Sequence, residues 1–282
     1  MSITRQTMPA PTRVRDLPGG SHIELHRHPE HQLIYCSGGA AQVRTEAGTW
    51  IAPQDRAIWI PARHWHEHHF FGPTRFHCIA FPLGQWADRV TPEVLATSAL
   101  VRELIITCSA PGELPERELG RLRQVLLDQL DRMPRQHLPL PVAIDERLRE
   151  ACALVERDLE STRTLAELGR RVGAGERTLT RLFRTEFAMT YPQWRTHLRL
   201  HRAVRLLAEG YSVTTVAGRC GWASPSAFID VYRHAFGCTP GSSRRGVIPE
   251  SRRGGEAVSS ARARSAGRGS GNASVSYSVY SK

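Results

Sequence analysis

Thirteen histidines occur in this chain of 282 residues, and nine of them fall in two short stretches, residues 22–31 and 64–77. The first stretch, "GGSHIELHRHPEHQ", puts His22, His26, His28 and His31 within ten residues, two of them as H-x-H. The second, around "PARHWHEHHF", adds His64, His66, His68 and His69. Imidazole is the commonest side-chain metal ligand and titrates near neutrality, so such clustering suits a metal centre or a polar pocket. His64, His68 and His69 alternate with polar neighbours and read as lining a loop. Catalysis asks for more: no nucleophile motif, phosphate-binding glycine loop or carboxylate pair stands beside these histidines, which leaves them as their own only general bases.

The elements around them change character along the chain. From about Ser21 to Phe81, "QLIYCSGG", "AQVRT", "TWIAP", "AIWIPA" and "FHCIAF" are β-rich runs parted by Gly, Pro and polar turns, the rhythm of an antiparallel sandwich or small barrel over residues 21–90. Trp59, Trp65, Phe70 and Phe76 read as its core. After Pro82 the period turns helical. "PEVLATSALVRELIITC" and "ERELGRLRQVLLDQLDRM" carry helical spacing, the second with a stripe of Leu119, Leu122, Leu126, Leu130 and Met133, so residues 91–133 read as a helical connector. The stripe would serve equally for packing on the barrel or on a second copy. Three prolines in "PRQHLPLPVAI" mark 134–144 as a linker, helices dominate 145–246, and the Gly, Ser and Arg of 247–282 read as a disordered basic tail. Residues 1–20 read as a flexible N-terminus. The fold class is therefore α+β in two domains.

Charge follows the same division. The net +11 is almost all arginine, since Lys282 is the only lysine. Residues 1–144 are near balance, with 15 basic side chains against 14 acidic, whereas 145–245 hold 17 against 11. The excess points to a polyanion partner for the C-terminal half. Six cysteines in no regular spacing read as reduced thiols, and without an apolar leader or an 18-residue apolar span the expectation is a cytoplasmic protein away from membranes.

A repeat carries the function. "ERTLTRLFRTEFAMTY" (176–191) and "PSAFIDVYRHAFGCTP" (225–240) align at an offset of 49, with Leu179 over Phe228, Leu182 over Val231, Phe183 over Tyr232 and Phe187 over Phe236. A short helix precedes each, opened by Thr164 (with Glu167, a capping box) or Ser212. Two such pairs, about 164–187 and 212–236, spell two helix-turn-helix units joined by the long helix "YPQWRTHLRLHRAVRLLAEG". With the apolar stripe inward, the first unit turns Arg177, Thr180, Arg181 and Arg184 outward; the second turns out Ser226, Ala227, Asp230 and Arg233. Guanidinium groups suit guanine edges and phosphates, so the first unit should dominate base readout.

These motifs, with "LRLHRAVRLLAEG" and "VAGRCGWASPSAFIDVYRHAFGCTP", resemble the double helix-turn-helix domain of AraC/XylS-type transcriptional regulators over residues 145–246. The resemblance places base-reading positions on Arg177, Thr180, Arg181, Ser226, Ala227 and Asp230. Gly169 stands where the family usually has alanine, and Ala188 where it often has glycine. The N-terminal stretch resembles a cupin barrel, the sensor module common in this family. Gly20-x5-His26-x-His28 fits the first cupin motif, with Gln32 in place of a glutamate; "PARHWH" fits the second, with His66 in place and Arg63 where glycine is usual. By this resemblance His26, His28, Gln32 and His66 form an effector pocket or a site for a divalent metal such as Zn, Fe, Mn or Ni, weakened by the loss of the carboxylate. The implied partners are double-stranded promoter DNA, a small-molecule effector, RNA polymerase and a second copy in a homodimer. The alternative is a metal-dependent cupin enzyme, an oxygenase or isomerase, fused to a DNA-binding module.

Overall fold

The computed structural model describes residues 6–242 apart from 87, 111, 113 and 137; the tail expected at 247–282 lies outside the described residues. Among the described residues, eleven strands form two facing sheets. One holds β1 (Gln6–Thr7), β3 (His22–Arg27), β8 (His66–Phe71), β5 (Ala40–Thr45) and β6 (Gly48–Ala52), in the order β1-β3-β8-β5-β6. The other runs β11-β10-β7-β4-β9-β2, from β11 (Arg135–Gln136), β10 (Glu93–Ala96), β7 (Arg56–Ile60), β4 (His31–Cys36), β9 (Thr74–Phe81) and β2 (Arg13–Leu17). Ile34, Ile58, Ile60, Phe76 and Cys78 of the second sheet meet Val43, Trp50 and Phe70 of the first to fill the space between them.

β4 is buried at every position because both its faces are covered. Ile34 and Cys36 point between the sheets. Leu33 and Tyr35 point the other way, onto α1 (Ala99–Ser109) and α2 (Glu116–Asp131). The α2 stripe thus packs on its own barrel, with Leu126 and Leu130 buried against Trp59, Ile79 and Phe81 and with Leu119, Leu122 and Met133 partly buried beside them.

Three stretches differ from the sequence expectation. Residues 13–17, expected to be flexible, pair along the whole of β2 with β9, whose edge would otherwise expose its backbone groups. "PEVLA", expected to be helical, is strand β10, because Val94 and Leu95 complete the hydrogen bonding of β7; the helix begins only after Ser98, whose side chain accepts from the Val101 N–H. The proline-rich stretch 134–144 is laid along the barrel, with Leu140 and Thr49 exchanging two 2.9 Å backbone hydrogen bonds.

The C-terminal part is helical: α3 (Glu146–Arg157), α4 (Leu165–Arg171), α5 (Glu176–Phe187), α6 (Tyr191–Ala208), α7 (Val213–Arg219) and α8 (Pro225–Phe236). Thr164 and Glu167 form the capping box at α4, and Ser212 caps α7 through the Thr215 N–H. Leu179, Leu182, Phe183 and Phe187 of α5 close on α3, α4 and Trp194 in one core. Phe228, Tyr232 and Phe236 of α8 close on the second half of α6 in another, which also takes in Ala40 and Ile51 of the barrel. Among the described residues no helix is long and apolar enough to cross a membrane.

Candidate DNA-reading face and barrel pocket

On α5 the inward stripe leaves Arg177, Thr180, Arg181 and Arg184 exposed in one band. The same positions of α8 expose Ser226, Asp230 and Arg233 and half-bury Ala227. Arg233 lies 3.8 Å from Asp230, one turn away on the same helix, so its charge is partly answered within the chain. The first face is therefore a free cationic surface and the second a nearly neutral one.

Inside the barrel the histidines converge. A β-bulge between Ile23 and His26 turns both residues inward although their spacing would put them on opposite faces of a regular strand. His66 and His68 alternate with Glu67 and His69 on β8, so both point inward and His69 does not. The ring of His26 stands 4.3 Å from that of His66, 4.8 Å from His28 and 5.5 Å from His68. Gln32 reaches the group through its amide nitrogen, 3.2 Å from His28 Nε2 and 3.1 Å from Cys78 Sγ. His22, His31 and His77 stand apart: His22 stacks on His69, His31 on Trp59, and His77 is held by the hydroxyls of Ser37 and Ser109.

Burial keeps these imidazoles neutral. It lowers His26 from an ordinary 6.5 to about 4, with the nearby His28 adding to the effect, and lowers His28 too. It pulls His66 and His68 well down, with neighbouring imidazoles contributing. The pocket is a cluster of neutral nitrogen donors and acceptors rather than a cationic patch.

Residues 14–171 match the family model described as the AraC-like ligand binding domain, and residues 168–246 match that of a helix-turn-helix domain. The first match alone spans more than half of the chain. This chain belongs to the AraC family of transcriptional regulators. The HTH-type transcriptional regulator NimR of Escherichia coli is 30% identical over 219 residues, 77% of this chain and 80% of that protein. CdhR of Pseudomonas aeruginosa is 36% identical over 154 residues, 52% of this chain, and the match takes in 45% of CdhR. Among solved structures, the DNA-binding domain of AdpA in complex with a target DNA is 32% identical, over 39% of this chain and all of that one, with a TM-score of 0.35.

This AraC-family regulator thus joins a ligand-binding N-terminal domain to a helix-turn-helix DNA-binding domain. His26, His28, Gln32 and His66 do come together in the barrel. His68, read from sequence as lining a loop, is buried in β8 beside them, and His69 is also in that strand, while His64 alone lies outside it. The missing signal was the alternation in "HEHHFF", which a strand reading would have turned into one inward row of His66, His68 and Phe70. The barrel and the DNA-binding helices also meet. Arg205 of α6 lies over the Phe71 ring at 4.5 Å, Arg56 donates to the Phe236 carbonyl at the end of α8, and Cys238 Sγ lies 3.1 Å from Asp55 Oδ2.

Proposed function

We propose that this AraC-family regulator works without catalysis, as a cytoplasmic homodimer on promoter DNA whose contact with RNA polymerase is set by what occupies the barrel. Arg177, Thr180, Arg181 and Arg184 read bases and phosphates in one major groove. Ser226, Ala227, Asp230 and Arg233 lie over the next, about 34 Å along the duplex, where they position more than they specify. His26, His28, Gln32 and His66 line the chamber for a small effector. The non-enzyme reading is supported by the relatives, which are transcriptional regulators.

The observation that carries this reading is the core shared by the barrel and the second helix-turn-helix unit. Strand β8 holds His66 and His68 between the sheets and ends at Phe71, under Arg205 of α6, and the next residue, Gly72, lies against the Ala208 carbonyl. An occupant that shifts β8 therefore acts on the seat of the second unit, provided it binds one seating better than another.

Gly72 tests this route. It has φ +68°, and a Cβ there would overlap the Ala208 carbonyl oxygen. Sites selected from random duplexes by the full chain are expected to give a footprint of two adjacent sub-sites. Gly72→Ala should leave protection of the first unchanged and alter that of the second. A selection with no preferred sequence would refute DNA reading, and an unaltered second sub-site would refute the route through β8.

A further inference from the structure

His26, His66 and His68 are all buried, and each offers one ring nitrogen such that the three atoms lie within 4.8 Å of one another. For His26 and His66 an outer partner fixes which nitrogen is free. His26 Nδ1–H donates to the Glu24 carbonyl at 2.6 Å and His66 Nδ1–H donates to the His64 carbonyl at 2.9 Å. A carbonyl only accepts, so each proton sits on Nδ1 and each Nε2 presents a lone pair inward. His66 Nε2 and His68 Nδ1 are buried with no hydrogen-bond partner. Unpartnered ring nitrogens are costly in an interior, and an apolar core would fill the same space better with Phe or Leu, as Phe70 does one step further along β8.

His28 and Gln32 are placed differently. His28 Nδ1–H donates to the Met8 carbonyl at 2.8 Å, but its Nε2 receives the Gln32 amide N–H at 3.2 Å. The same amide nitrogen also reaches Cys78 Sγ, so Gln32 meets His28 as a hydrogen-bond donor. His28 is thereby engaged by Gln32, and the trio of free nitrogens is completed by His68.

We propose that His26, His66 and His68 bind one divalent d-block cation, with Gln32 outside the ligand set. Three imidazole nitrogens without an oxygen ligand suit Zn, Ni, Co or Cu and not Mg or Ca. Three protein ligands leave a coordination position open, as in sites that admit a further molecule. Imidazole binds a metal as a neutral ring, so the ion keeps its double charge, and the open position favours an anionic oxygen or nitrogen donor. This deepens the effector-chamber reading and rests on it for the class of effector: a small anion bound through the metal.

The test uses the full chain, stripped with chelator and titrated with Co(II), whose visible absorption reports imidazole coordination directly. One equivalent should bind, Zn(II) should displace it, and azide should change the spectrum by entering the open position. His68→Ala should weaken binding at least about a hundredfold, a larger effect than loss of an outer-sphere partner. Gln32→Ala should retain the full equivalent. His68→Gln serves if the alanine variant fails to fold, as judged by circular dichroism. No cobalt band in the wild type would overturn the metal site; a band lost in Gln32→Ala but kept in both His68 variants would overturn the ligand set; a band indifferent to azide would overturn the anion. Affinity for selected DNA is read on the same samples, so failure of the regulator reading with a normal cobalt spectrum is seen separately.

Discussion

In the first helix-turn-helix unit four residues, 172–175, join α4 to α5, and in the second five residues, 220–224, join α7 to α8. The turns begin alike. The Ala174 N–H bonds to the Gly169 carbonyl, and the Trp222 N–H bonds to the Ala217 carbonyl, both at 2.9 Å. In the shorter turn, however, the Ala174 carbonyl comes so close to Gly169 that a Cβ there would overlap it, whereas Ala217 is buried with its methyl in place. The faces differ too: three exposed arginines on α5, and on α8 one, facing Asp230. So do the attachments. The first core is made of helices and linker residues, while the second includes Ala40 and Ile51 of the barrel. Duplication kept the apolar stripe that each unit needs to fold, and the two copies diverged where they touch something else. The first is freed for base reading, and the second is tied to the sensor.

The turn offers the largest effect by which to break this comparison. Gly169→Ala should destabilise the first unit by about 2–3 kcal/mol, because backbone and not a flexible side chain must move aside. The reverse change at the matching position, Ala217→Gly, should cost only about 1 kcal/mol of helix propensity plus its lost methyl contact. Hydrogen exchange of the α4–α5 and α7–α8 amides in the full chain would localise each effect. A tolerated Gly169→Ala would mean that the two turns are equivalent after all, and that the missing alanine at 169 has no steric origin.

What was legible in the sequence follows the same physics. The stripe repeated at an offset of 49 and the caps at Thr164 and Ser212 appear in the helices as read, because helix burial and capping are local in sequence. Strands β4 to β7 and β9 were legible as apolar runs because their side chains fill the core. β3 and β8 were not: their inward positions include His26, His66 and His68, so the alternation of apolar and polar residues that marks a strand is blurred. The same substitution that hid the strands makes the pocket. His68 was misplaced for this reason, and the bulge that turns His26 inward has no signature in residue type. β10 was hidden by ambiguity of another kind, since Val94 and Leu95 fit a helical period as well as a strand, and only pairing with β7 decides.

The faces come next in size. Arg181→Ala should cost about 1–3 kcal/mol of affinity for a selected duplex and relax preference at one base position, as expected for loss of a bidentate contact. Asp230→Ala should change affinity by less than about 1 kcal/mol, the scale of an exposed ion pair, and in the direction of tighter, less selective binding, because it removes a negative charge from a surface that meets phosphates. Fluorescence anisotropy on the selected duplex and on single-base variants measures both. Equal losses for the two substitutions would show that the units share the reading, against the asymmetry of charge.

The smallest effect sharpens the comparison at the helix ends. α5 and α8 both stop at a residue in left-handed conformation, Ala188 at φ 54° and Gly237 at φ 72°. That conformation costs a residue with a Cβ about 1–2 kcal/mol, which glycine does not pay. Against this, glycine makes the unfolded chain freer, at about 0.4–1 kcal/mol. Ala188→Gly should therefore stabilise the first unit by up to about 1 kcal/mol, and Gly237→Ala should destabilise the second by a similar amount, read from the same exchange experiment. Opposite signs follow from one geometry shared by two copies, with the strained residue in the first. If Ala188→Gly destabilised instead, the methyl of Ala188 would have to be making a contact that outweighs its strain, yet the side chain is exposed. The gain is thus expected where the helix ends in solvent, and it leaves the reading face of α5 untouched.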